Sequence, residues 1–254
     1  MNGTGLDSAV PEDRNRHPRL DASLLECLAA GMHRRSWRRF IEPWPVGDST
    51  TGPEMEMEAA VARRCFGESN ELLARYHDEE WGRPVLSEQG IFDRLCLESF
   101  QSGLSWALVL SRRDQLRRAF RGFEPDTLAE WTSDSLTDAL EQPGVIRNAA
   151  KVRAVVTNAR ATVRLRETAS SLEHLVWGHR PPPGPPPPPE LVLPKAAPYA
   201  VALSTSLRGA GFTFVGPVTA QALCEAIGIV NHHRSTCPVV EEVELARLAA
   251  LATE

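Results

Sequence analysis

The chain has 254 residues, 42% of them apolar and 24% charged, enough for one large or two modest domains with a real core. The net charge of −5 argues mildly against a nucleic-acid partner, no apolar run approaches the length of a membrane span, and no apolar signal core follows Met1. Five cysteines, odd in number and widely spaced, do not form a disulfide framework; they fit a reducing, cytoplasmic setting and thiolate metal ligation.

Residues 1–58 are rich in Pro, Asp, Arg and Ser and read as a poorly ordered extension with one helix candidate at Ala22–Phe40; Met55 and Met57 are alternative starts. Residues 59–241 carry helical periodicity and form the expected domain, with 242–254 as a C-terminal tail. Phe92, Cys96 and Phe100 recur at four, beside Ile91 and Leu95. Ser111 to Asp114 resembles a capping box, and Ser133 is a cap candidate ahead of Leu136 and Leu140. Val152, Val155, Val156, Ala159 and Val163 make an apolar stripe at helical spacing. Pro181–Pro189, broken only by Gly184, is expected to form a stiff, solvated polyproline II spacer within a Pro-rich loop at 180–194. Phe212 to Val215, between two glycines, is a short strand signal or a connector. The expected architecture is all-α.

Three constellations carry chemistry. Cys65 and His77, twelve apart, and His233 and Cys237, four apart, are two half-sites suited to tetrahedral Zn²⁺. The competing reading is four unrelated residues, and His232 rivals His233. Second, a helix ends at Leu140–Glu141, Pro143-Gly144 makes a tight turn, and a basic helix begins after Asn148, the layout of a helix-hairpin-helix. Gly144 permits close backbone approach to a phosphate, and free N–H groups at the next helix would attract it. Arg147, Lys151, Arg153, Arg160, Arg164 and Arg166 follow with no acid between Gln142 and Arg166. A second basic run holds Arg112, Arg113, Arg117, Arg118 and Arg121. Both runs are DNA-binding candidates set against ordinary solvated faces. Third, Glu98 lies among apolar residues on a core helix, where a carboxylate needs a partner or a purpose. Tyr76 and Trp106, on either side of it in sequence, could form a slot for a flat ring. Core packing is the bland alternative.

These stretches, in this order, resemble the 3-methyladenine DNA glycosylase I family. The resemblance runs from about 62 to 240. It rests on Tyr76-His77-Asp78-Glu79-Glu80-Trp81-Gly82, Leu97-Glu98, Gly103-Leu104-Ser105-Trp106, Gly144-Val145-Ile146-Arg147-Asn148 with Lys151, Gly211 to Gly216 and Gly228 to His233. It implies an all-α helix-hairpin-helix DNA glycosylase fold and a structural zinc held by Cys65, His77, His233 and Cys237. It implies a monofunctional hydrolase that flips 3-methyladenine out of alkylated double-stranded DNA, with no membrane partner and a monomeric state. Glu98 is then the catalytic residue that hydrogen-bonds the base, Tyr76 and Trp106 stack on it, and Gly144, Val145, Arg147 and Lys151 grip DNA. Two positions depart from the family pattern: Phe66-Gly67 follows the first ligand where Cys-x-Trp is common, so the base pocket either loses an aromatic or uses Phe66 in its place, and Phe100 stands where Gln is common, which implies a more apolar pocket floor. A non-catalytic zinc-clipped DNA-binding module and a glycosylase for another alkylated purine are the rival readings.

Overall fold

The computed structural model describes residues 62–252 except residue 169. The extension at 1–58, with its helix candidate and Cys27, lies outside the described residues. Ten α-helices occur among the described residues, and no strand. They are α1 (Glu71–Glu79), α2 (Glu88–Gln101), α3 (Trp106–Ala119), α4 (Pro125–Ala129), α5 (Ser133–Glu141), α6 (Ala149–Glu167), α7 (Leu172–Trp177), α8 (Pro198–Gly209), α9 (Pro217–Ala226) and α10 (Val240–Leu251). None is long and apolar enough to cross a membrane.

Nine of the ten starts have a local cause; α10, which follows Val239, has no side-chain cap. Side chains of Asn70, Ser87, Ser105, Asn148 and Ser171 accept from first-turn amides of α1, α2, α3, α6 and α7. Pro sits at the first turn of α4, α8 and α9, where a missing N–H loses nothing. Two expected caps fall elsewhere. Ser111 to Asp114 lies inside α3, which begins after Ser105, and Ser111 Oγ instead donates back to the Leu108 carbonyl. Thr132, not Ser133, caps α5.

Helix α2 is buried on nearly every side, with Ile91, Phe92, Leu95, Leu97 and Phe100 fully enclosed. It packs against α3, α6, α7 and α9, while α4 lies along α6 and α8 along α9. Burying each such Leu, Ile or Phe contributes about 1.5–3 kcal/mol, so this hub anchors whatever its polar residues do. The apolar stripe on α6 faces the same core through Val152, Val155 and Ala159.

The segment at 212–215 is a connector without strand pairing. Asn158 fixes it: its Oδ1 accepts from Thr213 N at 2.8 Å and its Nδ2 donates to Thr213 O at 3.1 Å. Ser99 Oγ donates to Phe214 O and Ser204 Oγ to Val215 O. These bonds hold Phe214 at φ 56°, a left-handed conformation that non-glycine residues adopt at a cost of about 1–3 kcal/mol.

Two further expectations are corrected. Of residues 242–254, read as a tail, those from 242 to 251 supply most of α10, which is docked by buried Val243 and by Arg247, whose guanidinium donates to the carbonyls of Gly228 and Ile229. The proline tract is not wholly solvated: Pro187 is buried, and its carbonyl accepts from Ser235 N at 2.9 Å. Arg234 Nη1 donates to Pro188 O and Leu191 O at 3.2 and 2.7 Å.

Candidate active site and metal centre

Helix α1 presents Tyr76 and the first residue of α3 is Trp106; their ring centroids lie 5.1 Å apart with planes tilted by 56°. Tyr76 is buried, and Trp106 is half-buried with its indole Nε1 enclosed and without an acceptor. Glu98 on α2 is only 5% exposed, and among the described residues no hydrogen bond reaches its carboxylate. A buried carboxyl without donors resists ionisation. Burial pushes Glu98 up to about 8, the Glu225 charge adds to the rise, and the Arg94 guanidinium opposes it. Burial, followed by the charge of Glu98, holds the Tyr76 hydroxyl far above the usual phenol range. Glu98 thus acts by its charge on Tyr76, Tyr76 meets Trp106, and the acid and the indole N–H are left without partners where an ordinary core would have satisfied them.

Beside them runs an ion-pair chain that sequence reasoning missed. Glu80 accepts from Arg94 Nη2 at 2.7 Å and from Arg113 Nη1 at 2.7 Å, and Asp93 is held by Arg117 in a bidentate pair at 2.7 and 2.8 Å. Arg94 Nη1 is buried without a hydrogen-bond acceptor. Only the (i, i+4) spacing of Arg113 and Arg117 on α3 hinted at a shared face.

Phe66 lies between this slot and the Cys/His cluster. Its ring meets Trp81 and His77 edge-on, both at 5.0 Å, and stands 6.4 Å from Tyr76. Phe100 is not a pocket floor. Two positions beyond Glu98 it points about 200° around α2, into the core, where it packs on Phe120 at 5.6 Å.

Cys65, His77, His233 and Cys237 bring their ligand atoms within 4.8 Å of one another. His233 Nδ1 lies 3.3 Å from Cys237 Sγ and 3.8 Å from Cys65 Sγ, and His77 Nε2 lies 3.5 Å from Cys237 Sγ. A tetrahedron with metal–ligand bonds of about 2.0–2.3 Å has edges of about 3.3–3.8 Å, so the spacing fits one ion. The outer nitrogens fit as well. His77 Nδ1 meets Asp78 Oδ1 at 2.8 Å and His233 Nε2 meets the Trp81 carbonyl at 3.1 Å. Each contact places the proton outside and the lone pair inside, the arrangement that orients metal-binding imidazoles. Burial lowers both histidines, His233 to about 4, which keeps them neutral. Burial raises the Cys65 thiol to about 11; a cation would be needed to draw the thiolate out. His232 stands apart, its Nδ1 on Glu225 Oε1 at 2.9 Å.

The turn between α5 and α6 places Gly144 at φ 83° against Gln115 of α3, and Val145 is buried. Arg147 is exposed. Two expectations fail here. Lys151 is 5% exposed; its Nζ donates to Phe100 O at 2.8 Å and Ser102 O at 2.5 Å, so it seals the end of α2 and does not face a phosphate. The first-turn amides of α6 at Ala150 and Lys151 are taken by Asn148 Oδ1. Much of the basic run also has internal work: Arg160 donates to Ala129 O and Trp131 O, and Arg166 pairs with Glu88 and Asp126.

Residues 66–241 match the methyladenine glycosylase family model. The DNA-3-methyladenine glycosylase of Haemophilus influenzae is 35% identical over 183 residues, 70% of this chain and 98% of that protein. DNA-3-methyladenine glycosylase 1 of Escherichia coli is 32% identical, over 68% of this chain and 95% of that protein. Among solved structures, a crystal structure of 3-methyladenine DNA glycosylase I superposes with a TM-score of 0.66 at 32% identity, covering 69% of this chain and 98% of that one. The Staphylococcus aureus enzyme, solved to explain 3-methyladenine recognition, gives 0.63 at 29% identity over 68% of this chain and 93% of its own. By sequence and by fold, the chain belongs to the methyladenine glycosylase family.

Proposed function

We infer that the protein is a DNA repair glycosylase that hydrolyses the N-glycosidic bond of 3-methyladenine in alkylated DNA. The observation that carries this reading at the site is the buried, undonated carboxylate of Glu98, whose charge reaches Tyr76 of the Tyr76–Trp106 pair. Methylation at N3 makes the base cationic in DNA and weakens its bond to the sugar. The enzyme then needs extrusion and selection more than strong acid–base help. Flipping takes a few kcal/mol, less for a damaged base. Stacking on Tyr76 and Trp106 returns about 1–3 kcal/mol per ring, and a cation over a π-face gains more.

Glu98 supplies the selection. A neutral purine leaves its proton in place, because ionising it in that pocket is unfavourable. A cationic base compensates the charge, accepts its ionised form, and offers N–H donors to it. Water then attacks the sugar carbon as the neutral base departs. Phe66 backs Tyr76 and closes the slot on the side of the Cys/His cluster. Cys65, His77, His233 and Cys237 hold a structural Zn²⁺, which ties residue 65 to residue 237 and takes no part in the chemistry. The α5–α6 turn acts as a helix-hairpin-helix that meets the DNA backbone through Gly144 and Arg147. Val145 supports that turn from the core. Residues 62–252 form the working domain, and the protein acts as a monomer.

Incubation with methylated duplex DNA and identification of the released bases tests the reading. Release of 3-methyladenine by the wild type and its loss in Glu98→Ala, with the melting transition retained, is the expected result. Full release by Glu98→Ala removes the acid from the mechanism, and no release by the wild type overturns the assignment.

A further inference from the structure

The five arginines of α3 and the turn after it divide sharply. Arg113 and Arg117 are consumed by Glu80 and Asp93. Arg112, Arg118 and Arg121 are exposed and make no ion pair or side-chain hydrogen bond among the described residues. All three line one open groove of about 630 Å³, whose opposite wall is the α5–α6 turn at Gln142, Pro143 and Gly144. The register explains why. Arg112, Gln115 and Arg118 recur at three on one face of α3. Gln115 is the residue against which Gly144 lies so closely that a Cβ there would come within 2.6 Å of its Cγ. The turn is therefore docked at the centre of an arginine stripe, with one free guanidinium on each side and Arg121 beyond. Among the described residues the backbone amides of Gly144 and Arg147 also lack acceptors.

We propose that this groove is a phosphate-backbone seat for one DNA strand, in which Arg112, Arg118 and Arg121 supply the ionic contacts expected of the basic helix α6. The proposal rests on the glycosylase reading for its partner, and on the unpaired charge for its location. Six residues of helix span about 9 Å. At about 3.4 Å of rise per phosphate on one strand, that length meets two to three phosphates. Guanidinium forks and free amides suit such contacts, which set register without reading sequence. One carboxylate, Asp138, faces the same groove and opposes the strand.

The test is binding of undamaged duplex DNA to the full chain, followed by fluorescence anisotropy between 50 and 200 mM salt. The triple variant R112A/R118A/R121A is expected to reduce the slope of log affinity against log salt by about 2.7, at about 0.9 per phosphate. The ratio of wild-type to variant affinity then shrinks by about 40-fold across that range. Asp138→Asn should tighten binding, and Arg208→Ala, an exposed arginine on α8, should leave the slope unchanged. An unaltered slope in the triple variant, or an equal fall in Arg208→Ala, overturns the proposal. Binding of free 3-methyladenine by the triple variant is read alongside. Its retention with a lost slope supports the seat. Failure of the wild type itself to bind or release the base condemns the glycosylase reading instead, whatever the slope does.

Discussion

Raising pH from 6 to 9 should switch the enzyme on through one group. The Glu98 carboxyl sits at about 8 because it is buried and Glu225 is near. A rise of that size from the ordinary glutamate value corresponds to roughly 5 kcal/mol against ionisation. If the ionised acid engages the cationic base, kcat/KM on methylated duplex DNA follows the ionised fraction of the free enzyme. That fraction is about 1% at pH 6, about 10% at pH 7 and about 90% at pH 9 for a group titrating near 8. The expected profile climbs about tenfold per unit below pH 8 and flattens above it, after subtraction of spontaneous release. Glu98→Gln should show neither the climb nor the plateau. Stability runs the other way. The fold holds a proton that the unfolded chain releases, so the contribution is complete below about 4.5 and is lost as pH rises through about 8. Glu98→Gln should therefore melt with the wild type at pH 5 and above it at pH 8. A flat wild-type profile, or a slope that survives in Glu98→Gln, would refute the argument.

Other expectations follow from single contacts. Cys237→Ser should strip zinc from the purified protein and lower the melting temperature by at least ~5 °C, at about 2–4 °C per kcal/mol for this size; wild-type protein without zinc by elemental analysis would end the metal proposal. Lys151→Ala removes two charge-assisted bonds to the end of α2 and should cost about 1.5–3 kcal/mol in denaturant unfolding with no change in the salt dependence of DNA binding; a changed slope would restore it as a phosphate ligand. Asn158→Ala leaves Thr213 N and O unpaired and should destabilise by about 2–3 kcal/mol, releasing Phe214 from its left-handed backbone, as hydrogen exchange at 212–215 would report.

The all-α architecture was legible because its signals were local: apolar spacing on α2 and α6, and a proline tract that admits neither helix nor inner strand. The four ligand candidates were legible as two half-sites, which the resemblance joined into one set; their spacing alone could not bring them together, since the contact between Cys65 and His233 spans 168 positions. The misreadings came from the same source. Lys151 stands in an acid-free basic run, and periodicity says nothing about two carbonyls 49 and 51 residues upstream that capture its ammonium. Ser111 to Asp114 mimicked a helix start because a capping pattern reads alike inside a helix, and only the bond that Ser105 Oγ accepts from Leu108 N settles where α3 begins. The partition of α3 into paired and unpaired arginines depended on Glu80 and Asp93, which lie on other elements.

The hydrogen bonds that fasten the Pro-rich loop here all end on its carbonyl oxygens: Pro187 O, Pro188 O and Leu191 O receive the amide of Ser235 and the side chain of Arg234. Such a latch is nearly blind to which side chains the strap carries, apart from the enclosed ring of Pro187. Drift in its composition should be tolerated wherever an extended left-handed backbone persists, whereas a change at Arg234 would remove two of the three bonds at once and leave the strap held by the Ser235 amide and the Pro187 ring.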